Sequence, residues 1–304
     1  MHDTLQVHFI ELPYDGKLGK SGDAVLILFP DGSNLLVDCG IKETFPALDA
    51  YLKAKHITKL DAFVASHPHI DHIGAFPLLS DAYPIGSLYR IPPEMIPEFH
   101  SVSLTAMEEA VKKHTLHGEY LHEGMRLERG GVDISILGPW MDSPLTMDGY
   151  EALLGMPLDP SNAKERLTHL TNDISTCMRM QWGKASFLTC GDLYFTAEMR
   201  YLEHYGNGLQ VTLAKADHHG AYTSNTKKWI EAVHAEVVVA SRNCMPPAFP
   251  TDKPERNAYF APHYDGYAPL LYPQMGSEFH LTFEEGSIIV SLEKDGTYTV
   301  DKSR

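Results

Sequence analysis

The chain has 304 residues, 43% of them hydrophobic and 21% charged, with a formal net charge of −15 at pH 7. That apolar content supports a folded core, and no run approaches the roughly 18 consecutive apolar residues of a membrane-crossing helix, so no membrane partner is expected. An acidic field repels polyanions and argues against tight, non-specific nucleic-acid binding, while bound cations would still admit a small anionic substrate. The opening Met1-His2-Asp3-Thr4 lacks the basic and apolar blocks of a secretory signal. Cys39, Cys177, Cys190 and Cys244 are scattered, with no C-x-x-C pair. They read as buried free thiols in a reducing cytoplasm, with a disulfide as the alternative. Nothing in the pattern specifies an oligomeric state.

In chain order, residues 5–12 read as a strand, followed by a Gly-rich turn ending at Ser21-Gly22-Asp23. Two apolar strands, Ala24–Phe29 and Asn34–Val37, flank Pro30-Asp31-Gly32-Ser33, a hairpin turn. The second strand runs into Asp38-Cys39-Gly40, where the carboxylate either caps a turn or holds a ligand histidine from behind. Phe45–Lys55 has helical periodicity, and Leu60–Ala65 is a short, apolar, buried strand.

That strand leads into Ser66-His67-Pro68-His69-Ile70-Asp71-His72-Ile73-Gly74. Imidazole and carboxylate are the ligands of zinc-like ions, and this stretch concentrates four such groups. Pro68 disfavours helix at His67, so His67 and His69 project together from extended chain. Asp71 falls at a helix start and His72 in its first turn. Two pairs of ligands at a strand-to-helix corner suit two adjacent metals better than one.

A helix is expected from His72 to about Ser80, a strand over Ser87–Ile91, and a helix over Leu104–His114. His114, His117 and His122 lie around that helix end, where exposed or capping roles fit better than metal. Met125–Leu137 reads as two strands around Gly130-Gly131, and Pro139 to Thr171 as a long irregular segment. The pattern then restarts with strands Ile174–Trp182 and Ala185–Thr189, ending in Cys190-Gly191-Asp192. Helix Thr196–Tyr205, strand Val211–Ala216 with Asp217-His218-His219-Gly220, helix Thr226–His234 and strand Glu236–Ala240 follow. Residues 242–276 are rich in proline and aromatics and read as a lid or insertion, or as a loop packing its own rings. Ser277–Val300 closes the chain with strands. Two βαβ-like halves, each leaving polar residues at strand ends, predict one domain over 1–304: an α/β, four-layer αβ/βα sandwich with its site between the sheets.

H-P-H-I-D-H, then C-G-D, then D-H-H-G in this order resembles the metallo-β-lactamase superfamily. More narrowly, the chain resembles the hydrolase domain of the ComEC DNA-uptake proteins and their stand-alone relatives. Gly22-Asp23-Ala24, Leu36-Val37-Asp38-Cys39-Gly40, Asn172-Asp173-Ile174-Ser175, Thr189-Cys190-Gly191-Asp192, His218-His219-Gly220 with Thr223-Ser224, and Glu285-Gly286-Ser287-Ile288 extend the match. The resemblance implies that His67 and His69 bind a first metal, that Asp71 and His72 bind a second, and that Asp192 bridges both. His218 would complete the second site, with His219 as the alternative, and Asp38 would orient a ligand histidine. Most of the superfamily supplies a further histidine before the strand that begins here at Ile174. This chain has Asn172-Asp173 there, with His169 two or three residues too early. Either Asn172 or Asp173 contributes oxygen or the first site is looser, which moves the preference from zinc toward manganese or magnesium without excluding zinc. Ala221, where the branch usually has serine, is a second departure, and the length of the aromatic segment a third.

The expected enzyme is therefore a hydrolase holding two divalent ions, Zn or Mn, and attacking through a metal-bound hydroxide. Asp71 or Asp192 would accept the proton. Thr223, Ser224 or a lid tyrosine such as Tyr264 would assist the leaving group, with His263 a further general-acid candidate. The expected substrate is a phosphodiester; the alternatives are a lactone, thioester or β-lactam, or a metal-binding scaffold without catalysis. Lys215, Arg242, Lys227 and Lys228 are too few for a nucleic-acid track.

Overall fold

The computed structural model describes residues 4–14, 22–96, 101–141, 163–246, 249 and 260–304. Eight strands form the first sheet: β1 (Thr4–Phe9), β2 (Val25–Leu28), β3 (Asn34–Val37), β4 (Leu60–Val64), β5 (Ile85–Arg90), β6 (Gly118–Tyr120), β14 (Ile288–Glu293) and β15 (Tyr298–Lys302). Their order is β15-β14-β1-β2-β3-β4-β5-β6. Seven strands form the second: β7 (Arg126–Arg129), β8 (Val132–Gly138), β9 (Cys177–Trp182), β10 (Ala185–Thr189), β11 (Leu213–Lys215), β12 (Val237–Ala240) and β13 (Glu278–Leu281), in the order β13-β12-β11-β10-β9-β8-β7. In each sheet, hairpin-linked antiparallel strands pass into parallel ones, β3 to β6 in the first and β10 to β13 in the second.

Parallel neighbours need crossover connections, and helices supply them. On the first sheet these are α1 (Phe45–Ala54), α2 (Ile70–Ile73), α3 (Phe76–Ala82) and α4 (Val102–Lys113). On the second they include α6 (Phe195–Tyr205), α7 (Lys227–Val233) and α8 (Ala268–Gln274), while α5 (Ala163–Asp173) precedes β9 and α9 (Thr282–Glu285) follows β13. Strand β12 shows why this becomes a layered sandwich. Its side chains alternate faces, so Val237 and Val239 join the core between the sheets, while Val238 and Ala240 join the core under α6, α7 and α8. Phe9 and Phe187 meet edge to face across the inter-sheet core, with centroids 6.0 Å apart. Leu48, Leu52, Phe76 and Met107 cover the outer face of the first sheet over Leu36 and Phe63. The observed order is helix, sheet, sheet, helix, as expected.

Local departures have physical causes. The helix expected from His72 to about Ser80 is two helices, α2 and α3, because Pro77 lacks an N–H and its ring would clash with the carbonyl four residues back. A helix occupies the end of the segment expected to be irregular, so β9 begins at Cys177 and not Ile174; Ser175 N donates to Asn172 O (2.9 Å) in the turn between them. Cys177 and Cys190 are not free thiols. They lie one step beyond the Met178–Thr189 pair of the β9–β10 hairpin, with Cα atoms 3.9 Å apart, and form a disulfide. Spacing in sequence does not reveal that cross-strand register. Cys39 and Cys244 are free. His114 takes the surface role expected of it, paired with Asp81 at 2.6 Å.

Of residues 242–276, positions 247, 248 and 250–259 lie outside the described residues, as do 142–162 of the earlier segment. Phe260 packs with Tyr194 and Phe195, and Tyr222 and Phe249 lie against that cluster. Among the described residues no helix is long and apolar enough to cross a membrane.

Candidate metal centre

Four strand ends, two from each sheet, converge. After β3 the chain turns at Asp38 in the left-handed region (φ 60°). Its carboxylate accepts Ser66 N at Oδ1 (2.8 Å) and Ser66 Oγ at Oδ2 (2.6 Å), and Oδ2 lies 2.8 Å from His72 Nδ1. After β4, His67 and His69 leave extended chain with His67 Nε2 3.0 Å from His69 Nδ1, and α2 begins so that Asp71 and His72 sit in its single turn. After β10, Gly191 (φ 57°) makes the bend that a side chain would obstruct, since a Cβ there would meet Ser175 at 2.9 Å. Past that bend, Asp192 N donates to Ser175 Oγ at 3.2 Å. After β11, His218 (φ 45°, ψ 46°) and His219 (φ 57°, ψ 27°) are both left-handed. Such conformations cost about 1–3 kcal/mol each outside glycine and collect at functional sites.

The centre of convergence is one oxygen, Asp192 Oδ2. It lies 3.1 Å from His72 Nε2, 3.2 Å from His219 Nε2, 3.8 Å from His218 Nε2 and 3.9 Å from His67 Nε2. Asp71 Oδ2 is 3.8 Å from His219 Nε2. His67, Asp71, His72 and Asp192 are all buried. Ligand atoms of Asp23, His72, Asp192 and His219 all fall within 4.8 Å of one another.

The electrostatics match a cation site. Burial disfavours a proton on His72, but Asp192 and Asp38 outweigh it and hold the imidazole well above its ordinary pKa. Burial likewise opposes a proton on His219, yet Asp192 and Asp23 lift it to about 10. Burial and the neighbouring His72 and His69 keep His67 well below the usual range. Asp192 is driven well below the carboxylate range, its burial overcome by His219, His72 and His218. Protons on His72 and His219 thus sit where buried carboxylates call for positive charge, and a divalent ion meets that demand with the same atoms. Asn172 Oδ1 is buried and has no hydrogen-bond donor among the described residues, as an oxygen ligand would. The nitrogen and oxygen donors fit a zinc- or manganese-like ion.

The other sequence candidates separate clearly. Of the two adjacent histidines, His219 Nε2 lies nearer Asp192 Oδ2 than His218 Nε2 does, 3.2 against 3.8 Å. Two successive left-handed residues turn the chain past the strand end, so His219 reaches inward, while His218 leans on Tyr194 (centroids 4.8 Å apart) with Nδ1 on Thr223 Oγ1. Asp173 is engaged elsewhere: Tyr194 N (3.2 Å) and the Thr196 hydroxyl donate to it at the start of α6. His169 contacts Thr196 Oγ1 (3.2 Å) and stacks on Tyr194. Ser224 Oγ donates to Leu193 O (2.6 Å), a structural bond. His263 stacks on Phe195 and Tyr264 lies against Phe249, so the structure brings neither into the metal cluster. Sequence reasoning missed Asp23 as a site residue, and placed Lys215 only as a nearby cation. The signal for Asp23 was Gly22, where a φ of 90° and a Cβ position only 1.7 Å from Asp71 O each call for glycine.

A four-layer sandwich with a His/Asp centre at facing strand ends defines a metal-dependent hydrolase architecture. A family model described as the metallo-beta-lactamase superfamily matches residues 19–241, and the chain belongs to that superfamily. It is 26% identical over 215 residues to Competence protein ComA of Neisseria gonorrhoeae, covering 71% of this chain and 24% of that one. It is 31% identical over 130 residues to the uncharacterized protein YcaI of Escherichia coli, covering 37% of this chain and 16% of that one. The chain thus matches only a minor part of the length of these curated relatives. Among solved structures, the metallo-beta-lactamase fold protein YhfI from Bacillus subtilis superposes with a TM-score of 0.50 at 14% identity, covering 98% of this chain and 100% of that one. CmlA, a diiron beta-hydroxylase from Streptomyces venezuelae, gives 0.51 at 12% identity, with coverage of 99% and 54%. These two likenesses concern the fold.

Proposed function

We propose that the chain is a binuclear metal-dependent hydrolase of a phosphodiester, its two sheets acting as one domain. The carrying observation is the gathering of four imidazole nitrogens within 3.9 Å of Asp192 Oδ2. His67, His69 and Asn172 would hold a first ion, Asp71, His72 and His219 a second, and Asp192 both. The pair of cations supplies activation of water near neutral pH and charge stabilisation at the attacked centre. Asp71 or Asp192 would accept the proton from the attacking water. His218 has the largest solvent access of the four imidazoles, at 18% of its side chain, and its Nδ1 is fixed by Thr223. Its Nε2 would contact substrate and deliver a proton to the leaving oxygen. Resemblance to the ComEC branch and the suitability of paired metals for phosphoryl transfer support the phosphodiester.

A carboxylic ester-type substrate, such as a lactone, thioester or β-lactam, is the second reading. The aromatic cluster of Tyr222, Phe249, Phe260 and Tyr264, joined to His218 through Tyr194, favours it. The deciding experiment is metal analysis coupled to hydrolysis of bis(p-nitrophenyl) phosphate and a lactone panel, with manganese or zinc added. Two metals per chain and diester turnover that disappears in Asp192→Ala are expected. Lactone or thioester turnover alone selects the second reading, and no metal with no turnover overturns both.

A further inference from the structure

Lys215, the last residue of β11, is a fully buried lysine behind the centre. Its Nζ lies 2.7 Å from Asp23 Oδ2, donates to Gly191 O (2.9 Å) and Ala216 O (3.3 Å), and is 3.8 Å from Asp192 Oδ1. The three close partners use up the three N–H donors of the ammonium. Gly191 immediately precedes Asp192, so Lys215 pins the bend that presents the bridging carboxylate.

Asp23 belongs to the approach to β2 in the other sheet and is buried as well. Its N–H donates to Asp71 O (3.1 Å). Its carboxylate faces Nδ1 of two imidazoles: Oδ1 is 3.3 Å from His219 Nδ1, and Oδ2 is 4.0 Å from His72 Nδ1. Asp192 approaches the Nε2 atoms of the same two rings. Asp23 therefore stands behind the rings, on the side away from Asp192, with its charge already matched by Lys215. Its nearness to the other donors does not make it a metal ligand.

We infer that Lys215 is a built-in cation that preassembles the metal centre across the two sheets, acting through Asp23 on His219 and through Gly191 on Asp192. This rests on the metal-centre reading above. Lys215 and Asp23 are positioning residues: they aim ligands and offset carboxylate charge before any divalent ion arrives. Removing one member of a buried ion pair leaves an uncompensated charge, whereas removing both does not, so the two substitutions are strongly non-additive.

The test uses the full chain with Lys215→Met, Asp23→Asn, the double variant, and Leu48→Ala as a control cavity far from the centre. Thermal unfolding is followed after chelation and again with Mn2+ or Zn2+, and ion affinity is measured by titration calorimetry. Lys215→Met should show the largest fall in metal-free Tm, and Mn2+ should raise its Tm by more than it raises that of the wild type, because the ion supplies missing charge. Asp23→Asn and the double variant should bind either ion roughly 10–100-fold more weakly, as loss of a group that orients a ligand does. Leu48→Ala should lose Tm without losing affinity. If Lys215→Met does not fold without metal, the double variant decides, since it buries no unpaired charge: folded with weakened ion binding supports the inference. The inference fails if all variants keep wild-type ion affinity, if the double variant is as unstable as Lys215→Met, or if Leu48→Ala weakens binding equally. A wild-type chain that binds neither ion overturns the metal-centre reading and this inference together.

Discussion

Asp38 Oδ2 and His72 Nδ1 are 2.8 Å apart, and Asp38 holds that position from a left-handed backbone conformation with both oxygens also bound to Ser66. The imidazole is thereby fixed with Nε2 toward Asp192 Oδ2. Asp38→Asn preserves size and tolerance of the left-handed region but removes the charge that orients the ring. Its affinity for Mn2+ or Zn2+ should fall by roughly 10–100-fold, with thermal unfolding of the metal-free protein changed far less; calorimetric titration checks both.

Gly22→Ala should abolish ion binding without any ligand being replaced. A methyl at that position would lie 1.7 Å from the backbone oxygen of Asp71 and would occupy a φ of 90°. The chain carrying Asp23 or the turn carrying Asp71 must move. Circular dichroism retaining wild-type secondary structure, together with undiminished ion binding, would refute this.

His8, on β1, is held neutral. Burial, with Lys55 adding to it, lowers its pKa from 6.5 to about 3, and its Nδ1 lies 2.9 Å from the Tyr51 hydroxyl. The unfolded chain takes up a proton below 6.5 that the folded chain refuses until about 3. Stability should thus be intact above 6.5 and decline as pH falls through this window, by on the order of 5 kcal/mol in total. Urea unfolding of His8→Asn across the same window should show a flatter acid limb.

Glu198 works in the opposite sense. Burial lifts its pKa from 4.5 to about 7, although Asn225 N and the Thr226 N–H and hydroxyl donate to it. Here the folded chain keeps a proton that the unfolded chain releases. The contribution is complete below 4.5 and is lost as pH rises through about 7, on the order of 3 kcal/mol. Glu198→Gln should remove that decline in a pH series of unfolding midpoints.

Phe187→Ala, at the edge-to-face contact with Phe9, should cost about 3–5 kcal/mol of stability in urea unfolding, the usual range for a large ring lost from a core.

Much of this molecule is legible in its residues because local and global preferences agree. The alternation in β12 and the extended His67-Pro68-His69 corner depend on period and on proline chemistry, both visible in the letters. What stayed hidden depends on backbone handedness or on register. His218 and His219 differ only in how two left-handed residues turn the chain. Asp23 reads as a turn residue until Gly22 is seen pressed against Asp71. The Cys177–Cys190 pairing needs the hairpin register.

The inter-sheet core also carries a mechanical consequence. His67 and His72 hang from the first sheet, Asp192 and His219 from the second, so the metal centre is a seam closed by two slabs. Advancing one strand by a single residue displaces its groups by about 3.3 Å, more than the 3.1 Å between His72 Nε2 and Asp192 Oδ2. Rings such as Phe9 and Phe187 therefore act as alignment pins. Repacking the core far from the chemistry would detune it by slippage, and ions bound across the seam would rivet the slabs against that motion.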